Sequence, residues 1–167
     1  MCHIIIIFNY TLKIPRIEEA DFTRLESFPL LSRWNDARWN ELPSEALNDI
    51  QPLKKEKARE LCQYSLTLSN QNGLIPEFFV KIEETDAAVE NEDAQSWLLS
   101  KISQKNSKVV VSWTNDLAVL VSWEIFCSYW DDFCYPASDD VAIFPLSEDW
   151  MLLYDHAEVF TFGERYL

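Results

Sequence analysis

Residues 141–163 read Val-Ala-Ile-Phe-Pro-Leu-Ser-Glu-Asp-Trp-Met-Leu-Leu-Tyr-Asp-His-Ala-Glu-Val-Phe-Thr-Phe-Gly. Three runs rich in β-branched and aromatic side chains, at 141–146, 150–156 and 159–163, are separated by short polar gaps. That is the pattern of an antiparallel meander. Upstream, Lys-Val-Val-Val-Ser-Trp at 108–113 is the clearest single strand, and Asn115-Asp116 turns the chain after it. The segment 117–134 admits two readings. Val119, Trp123, Phe126, Cys127, Trp130, Phe133 and Cys134 recur every three or four positions, with Glu124, Ser128, Asp131 and Asp132 opposite, whereas 117–123 is β-rich. Length and charge separation favour one helix over 117–134, capped by Asp116 and stopped before Pro136.

Toward the N-terminus the signals are shorter. Residues 3–8 are apolar and β-branched and read as a buried strand. From 17 to 42, Phe22, Leu25, Phe28, Leu31, Trp34 and Trp39 predict short helices broken near Pro29 and Pro43. Ser44 is placed to cap a turn that runs to Ile50. Residues 54–66 favour a helix, although the alternation Tyr64, Leu66, Leu68 leaves its end open to a strand reading. A turn comes next at Asn70–Gly73, then a strand around Phe78–Ile82, an acidic connection over 83–93, and a helix capped by Asp93 that runs to about 105. Helices first, then strand, helix and meander, make an α+β fold with helices on one face of a mainly antiparallel sheet. Its 167 residues suit a single domain, 1–167. Trp123, Phe126, Trp130, Leu152 and Phe160 are the expected core.

Composition removes several functions. The only glycines are Gly73 and Gly163, so no dinucleotide loop, phosphate loop or nucleophile elbow can be built. The net charge is −14 and its placement is uneven: residues 109–167 hold 11 acidic side chains and one basic one, Arg165. Phosphate backbones are repelled by such a surface, so direct nucleic-acid binding is not expected. No secretory leader or membrane span is read: the Ile4–Phe8 run is five residues long and lacks a basic leader. Cysteines at 2, 62, 127 and 134 form no C-x-x-C pair. Free thiols in a cytoplasmic protein are the expectation.

Catalysis has few candidates. His156 is the only credible base, and Asp155 beside it on one strand would point to the opposite face. Asp131, Asp132, Asp139, Asp140, Asp149, Asp155 and Glu158 crowd a short stretch, but the calcium-loop pattern needs a glycine that is missing. Neither a catalytic set, a metal site nor a cofactor is therefore expected. Acids that flank an aromatic anchor suit a protein interface instead, and Trp130-Asp131-Asp132 and Glu148-Asp149-Trp150 have that composition. Asp131, Asp132, Asp139, Asp140, Asp149 and Trp150 form the candidate binding set.

The arrangement Trp123-x-x-Phe126-x-x-x-Trp130-x-x-Phe133, Tyr135-Pro136-x-x-Asp139-Asp140, residues 150–156 and Phe160-Thr161-Phe162-Gly163-Glu164-Arg165 resembles small acidic bacterial domains of unknown function and the immunity proteins of polymorphic toxin systems. The likeness covers about the last 60 residues. It implies a cytosolic, non-catalytic protein that binds a domain of a cognate toxin, and it assigns no residue a role; the acidic charge makes a basic toxin enzyme the expected target. The alternatives are a structural or regulatory domain and a metal-assisted hydrolase.

Overall fold

A computed structural model describes residues 13–38, 40–88 and 91–166. The strand read over 3–8, together with Cys2, His3 and Trp39, lies outside them. After two 3-10 turns (Glu19–Asp21, Leu25–Ser27) come α1 (Ser32–Asn35), β1 (Asn40–Glu41), α2 (Ser44–Asp49) and β2 (Gln51–Pro52). Next are α3 (Lys55–Leu68), the hairpin strands β3 (Ser69–Asn70) and β4 (Gly73–Leu74), β5 (Phe79–Asp86) and α4 (Asn91–Lys101). The chain closes with β6 (Lys108–Thr114), β7 (Leu117–Ser122), α5 (Trp123–Ser128), α6 (Trp130–Phe133), β8 (Val141–Pro145), β9 (Trp150–Asp155) and β10 (Val159–Arg165).

Among the described residues seven strands form one sheet in the order β2-β7-β6-β8-β9-β10-β5, every neighbouring pair antiparallel. The α+β class and the C-terminal meander are thus present. The five expected core residues are all buried. One sheet face carries α1, α2, α4, α5 and α6 over Val109, Val111, Val119, Val121, Ile143, Leu152, Phe160 and Phe162. The long α3 covers the opposite face, setting Ala58, Leu61, Tyr64 and Leu68 on Val110, Leu120, Phe144 and Met151. Helices therefore lie on both faces, one more layer than the sequence pattern indicated.

Several local readings are corrected. Residues 117–134 are not one helix: Leu117–Ser122 is strand, and Tyr129 breaks the remainder into two short helices. The reason is burial on both sides. Val119 and Val121 enter one core while Ala118 and Leu120 enter the other, and a strand covered on both faces is apolar throughout, so its periodicity cannot be told from that of a buried helix. Ser122, not Asp116, caps α5, its hydroxyl accepting from the Ile125 amide at 3.4 Å. Ser44 is the first helical residue of α2 behind Pro43 and makes no capping bond. Asp93 lies in the first turn of α4, where its charge complements the helix dipole. The alternation at 64–68 is not a strand either: Leu61, Tyr64, Ser65 and Leu68 face inward at helical spacing and Leu66 is 62% exposed. Residues 83–86, read as loop, complete β5 and pair with β10.

Candidate functional site

Each acid of the candidate set is placed by its own local element. Asp131 and Asp132 sit on α6, the first exposed and the second buried. Asp139 and Asp140 close the loop that leads into β8. Asp149 ends the turn before β9 and is exposed. Because Val141 pairs with Tyr154 and Ile143 with Leu152, Asp140 and Asp149 lie at opposite ends of the β8–β9 hairpin. At about 3.3 Å per residue they are roughly 20 Å apart. The set is not one continuous patch.

Three members are buried: Asp132, Asp139 and Trp150. Trp150 is 5% exposed, its ring edge-on to Trp123 at 5.0 Å and 5.5 Å from Phe162. An alternating strand sends every second residue into the core, and Trp150 falls on the same face as Leu152, so it packs as core and presents no anchor. Asp139 forms a bidentate ion pair with Arg33: Nη2 donates to Oδ1 at 3.1 Å and Nη1 to Oδ2. The Tyr135 amide donates to Oδ2 at 3.0 Å and the Ser138 hydroxyl to Oδ1 at 3.2 Å. The Arg33 guanidinium lies 4.1 Å from the centre of the Tyr135 ring. Burial pushes the Asp139 carboxyl up, but the hydrogen bonds from Arg33 and the Tyr135 amide outweigh it and hold it below the ordinary range. Asp139 is thus a clasp that ties α1 to the 134–140 loop. Sequence spacing could not reveal it, because Arg33 is 106 positions away.

The exposed end of the hairpin holds a grouping that sequence reasoning missed. Asp155 is the last residue of β9, and the register sets Asp140 across from it. The His156 Nδ1 lies 2.8 Å from Asp140 Oδ1 and 3.8 Å from Asp155 Oδ1. Both carboxylates act on His156: the Asp140 hydrogen bond first, then the charges of Asp140 and Asp155, raise its pKa. The partner of the imidazole is thus the residue across the hairpin. The antiparallel register of the meander was the signal that could have found it.

Neither Cys127 nor Cys134 offers a nucleophile. Cys127 and Cys134 are fully buried; burial first, and nearby carboxylates second, push both far up, so they stay protonated. A cleft of about 300 Å³ between residues 23–29 and the start of α3, lined in part by Phe28, Leu53, Lys54, Lys55 and Leu117, contains none of the candidate set. Its lysines already have partners, Lys54 the Ala20 carbonyl and Lys55 the Asp116 carboxylate. Among the described residues no helix is long and apolar enough to cross a membrane. No protein-family model, curated protein or solved structure matches the chain.

Proposed function

We propose that this chain is a non-catalytic protein-binding module, of the immunity type, whose C-terminal acidic surface takes a basic protein partner. The observation that carries the reading is where the charges point. Arg165, the one Lys or Arg of residues 109–167, is 12% exposed and turned inward, donating to the Tyr64 hydroxyl at 3.0 Å and the Glu148 carbonyl at 3.1 Å. Arg33 is similarly withdrawn behind Asp139. Meanwhile Asp131, Asp140, Asp149, Asp155 and Glu164 are exposed. A surface with both arginines folded inward and its carboxylates outward attracts a basic cleft over about 8 Å at physiological salt.

The test is kinetic. A partner captured from the source cells is bound to the parent chain and to a variant with Asp131, Asp140 and Asp149 changed to asparagine. Steering predicts an on-rate about tenfold or more lower in the variant at low salt, converging with the parent as salt rises, with unfolding unchanged. Equal on-rates at low salt would reduce the acidity to a solubilising role.

A further inference from the structure

We propose that Asp140, Asp155 and His156 form a binding site for a divalent first-row transition-metal ion of the Mn²⁺ to Zn²⁺ group. The inference goes beyond the partner reading and does not depend on it. One ligand atom from each residue lies within 4.8 Å of the other two. An ion about 2.0–2.2 Å from imidazole nitrogen and carboxylate oxygen needs its ligand atoms about 3.0–3.5 Å from one another. The observed separations from His156 Nδ1, 2.8 and 3.8 Å, fall on either side of that spacing. Small side-chain rotations bring all three onto one ion.

The backbone prepares the site. The His156 amide donates to Asp140 Oδ1 at 3.0 Å and the Ala157 amide to Asp155 Oδ1 at 2.7 Å, so both carboxylates are oriented beforehand. The Ala137 amide holds the His156 carbonyl at 3.1 Å and ties the 134–140 loop to the β9–β10 turn. The imidazole separates this grouping from an ordinary solvated pair of acids. Two carboxylates with one imidazole suit Mn²⁺ through Zn²⁺ better than Mg²⁺ or Ca²⁺, which favour oxygens alone. All three side chains are more than half exposed, so water completes the coordination. Binding needs the Nδ1 lone pair, so a proton held on that atom passes to solvent as the ion binds.

The probe is Mn²⁺ alone, added to the full chain and followed by paramagnetic broadening of amide resonances and by titration calorimetry. Mn²⁺ is a poor partner for thiols, so Cys62 does not compete. The site predicts that Asp140, His156 and Ala157 broaden first, at substoichiometric ion. His156→Ala and Asp155→Asn should each weaken binding about tenfold or more. Asp149→Asn, which removes the same charge at the far end of the hairpin, should change it less than about twofold. Circular dichroism verifies that each variant is folded. Uniform broadening along every acidic position, or a His156→Ala chain that binds as the parent does, would reduce the ion to a counter-ion of the acidic surface and overturn the proposal.

Discussion

The two faces of the central sheet are sealed by different means. Beneath α1, α2, α4, α5 and α6 the core holds, among the described residues, four buried tryptophans, Trp34, Trp123, Trp130 and Trp150, interleaved with Phe28, Phe126, Phe133, Tyr154, Phe160 and Phe162. Trp34 stacks on Phe28 at 5.6 Å, and Trp130 meets Phe160 edge-on at 5.2 Å. Beneath α3 the core is mostly aliphatic, with only Tyr64, Phe79 and Phe144 as buried aromatics among the described residues. Helix length explains the contrast. α1 and α6 have four residues each, α2 and α5 six, so four of the five helices on that face are far shorter than α3 with 14; α4 has 11. Helices of one or two turns have almost no stability of their own and must be held by tertiary packing. Large rigid rings supply the most contact area for each short element, whereas α3 needs only a regular apolar stripe.

That contrast can be broken first at its centre. Trp123→Ala should cost about 3–5 kcal/mol, because it empties a site shared with Phe126 and Trp150, whereas Leu61→Ala under α3 should cost about 2–4 kcal/mol. Chemical unfolding of both variants settles the order. A Leu61→Ala loss exceeding that of Trp123→Ala would show that the aromatic face is not the main stabiliser. Trp123→Phe sharpens the point, since it also removes an indole N–H that finds no acceptor among the described residues.

A smaller effect is expected where α1 is tied down. Asp139→Asn weakens the Arg33 clasp and should cost about 2–3 kcal/mol at neutral pH, given that the pair is only 14% and 9% exposed. The depressed carboxyl sets the sign with pH. An aspartate held below its unfolded value of about 3.9 contributes stability that is present above that pH and is lost as pH falls through the lower folded value. Stability measured from pH 7 down to 2 should therefore fall less steeply below about pH 4 in the variant. Parallel curves for the two proteins would remove Asp139 from the account.

The smallest effect lies on the α3 side. A Cβ at Gly163 would fall 2.5 Å from Phe79 Cδ1 and 2.7 Å from Leu74 Cδ1, so Gly163→Ala should cost about 1–3 kcal/mol through overpacking. Measured in a Phe79→Leu background, where the nearer of the two obstructing side chains is gone and Leu74 remains, the same change should cost less. An unchanged cost would mean that Leu74, not the Phe79 ring, sets the requirement for glycine.

The meander was legible because its strands are short, close in sequence and joined by polar turns, so each one's partner is the next. The buried positions of Trp123, Phe126, Trp130, Leu152 and Phe160 were legible for a related reason: their spacing keeps them on inward faces whether the chain is helix or strand. The candidate binding set was legible only as composition. Its acids could be picked out from the residues, but nothing local distinguishes Asp139, held by Arg33, from Asp140 beside it, which is exposed at the hairpin end. Trp150 likewise reads as an anchor from its acidic neighbours and turns out to be core.

What the sequence alone determined is the set of local preferences: α+β class, the C-terminal antiparallel runs, the helix from 55 onward, the excess of acid in the last third, and the absence of glycine loops for phosphate or nucleotide. Tertiary structure decided the rest. It made Leu117–Ser122 a strand, because two cores close on it at once. It placed α3 on the second face, drew Arg33 and Arg165 inward, and brought His156 to Asp140 and Asp155. Those outcomes depend on which groups remote in the chain share a buried volume or a register. A residue's own neighbours carry no information about a partner 100 positions away, and desolvation, ion pairing and strand register act only once that partner is in place.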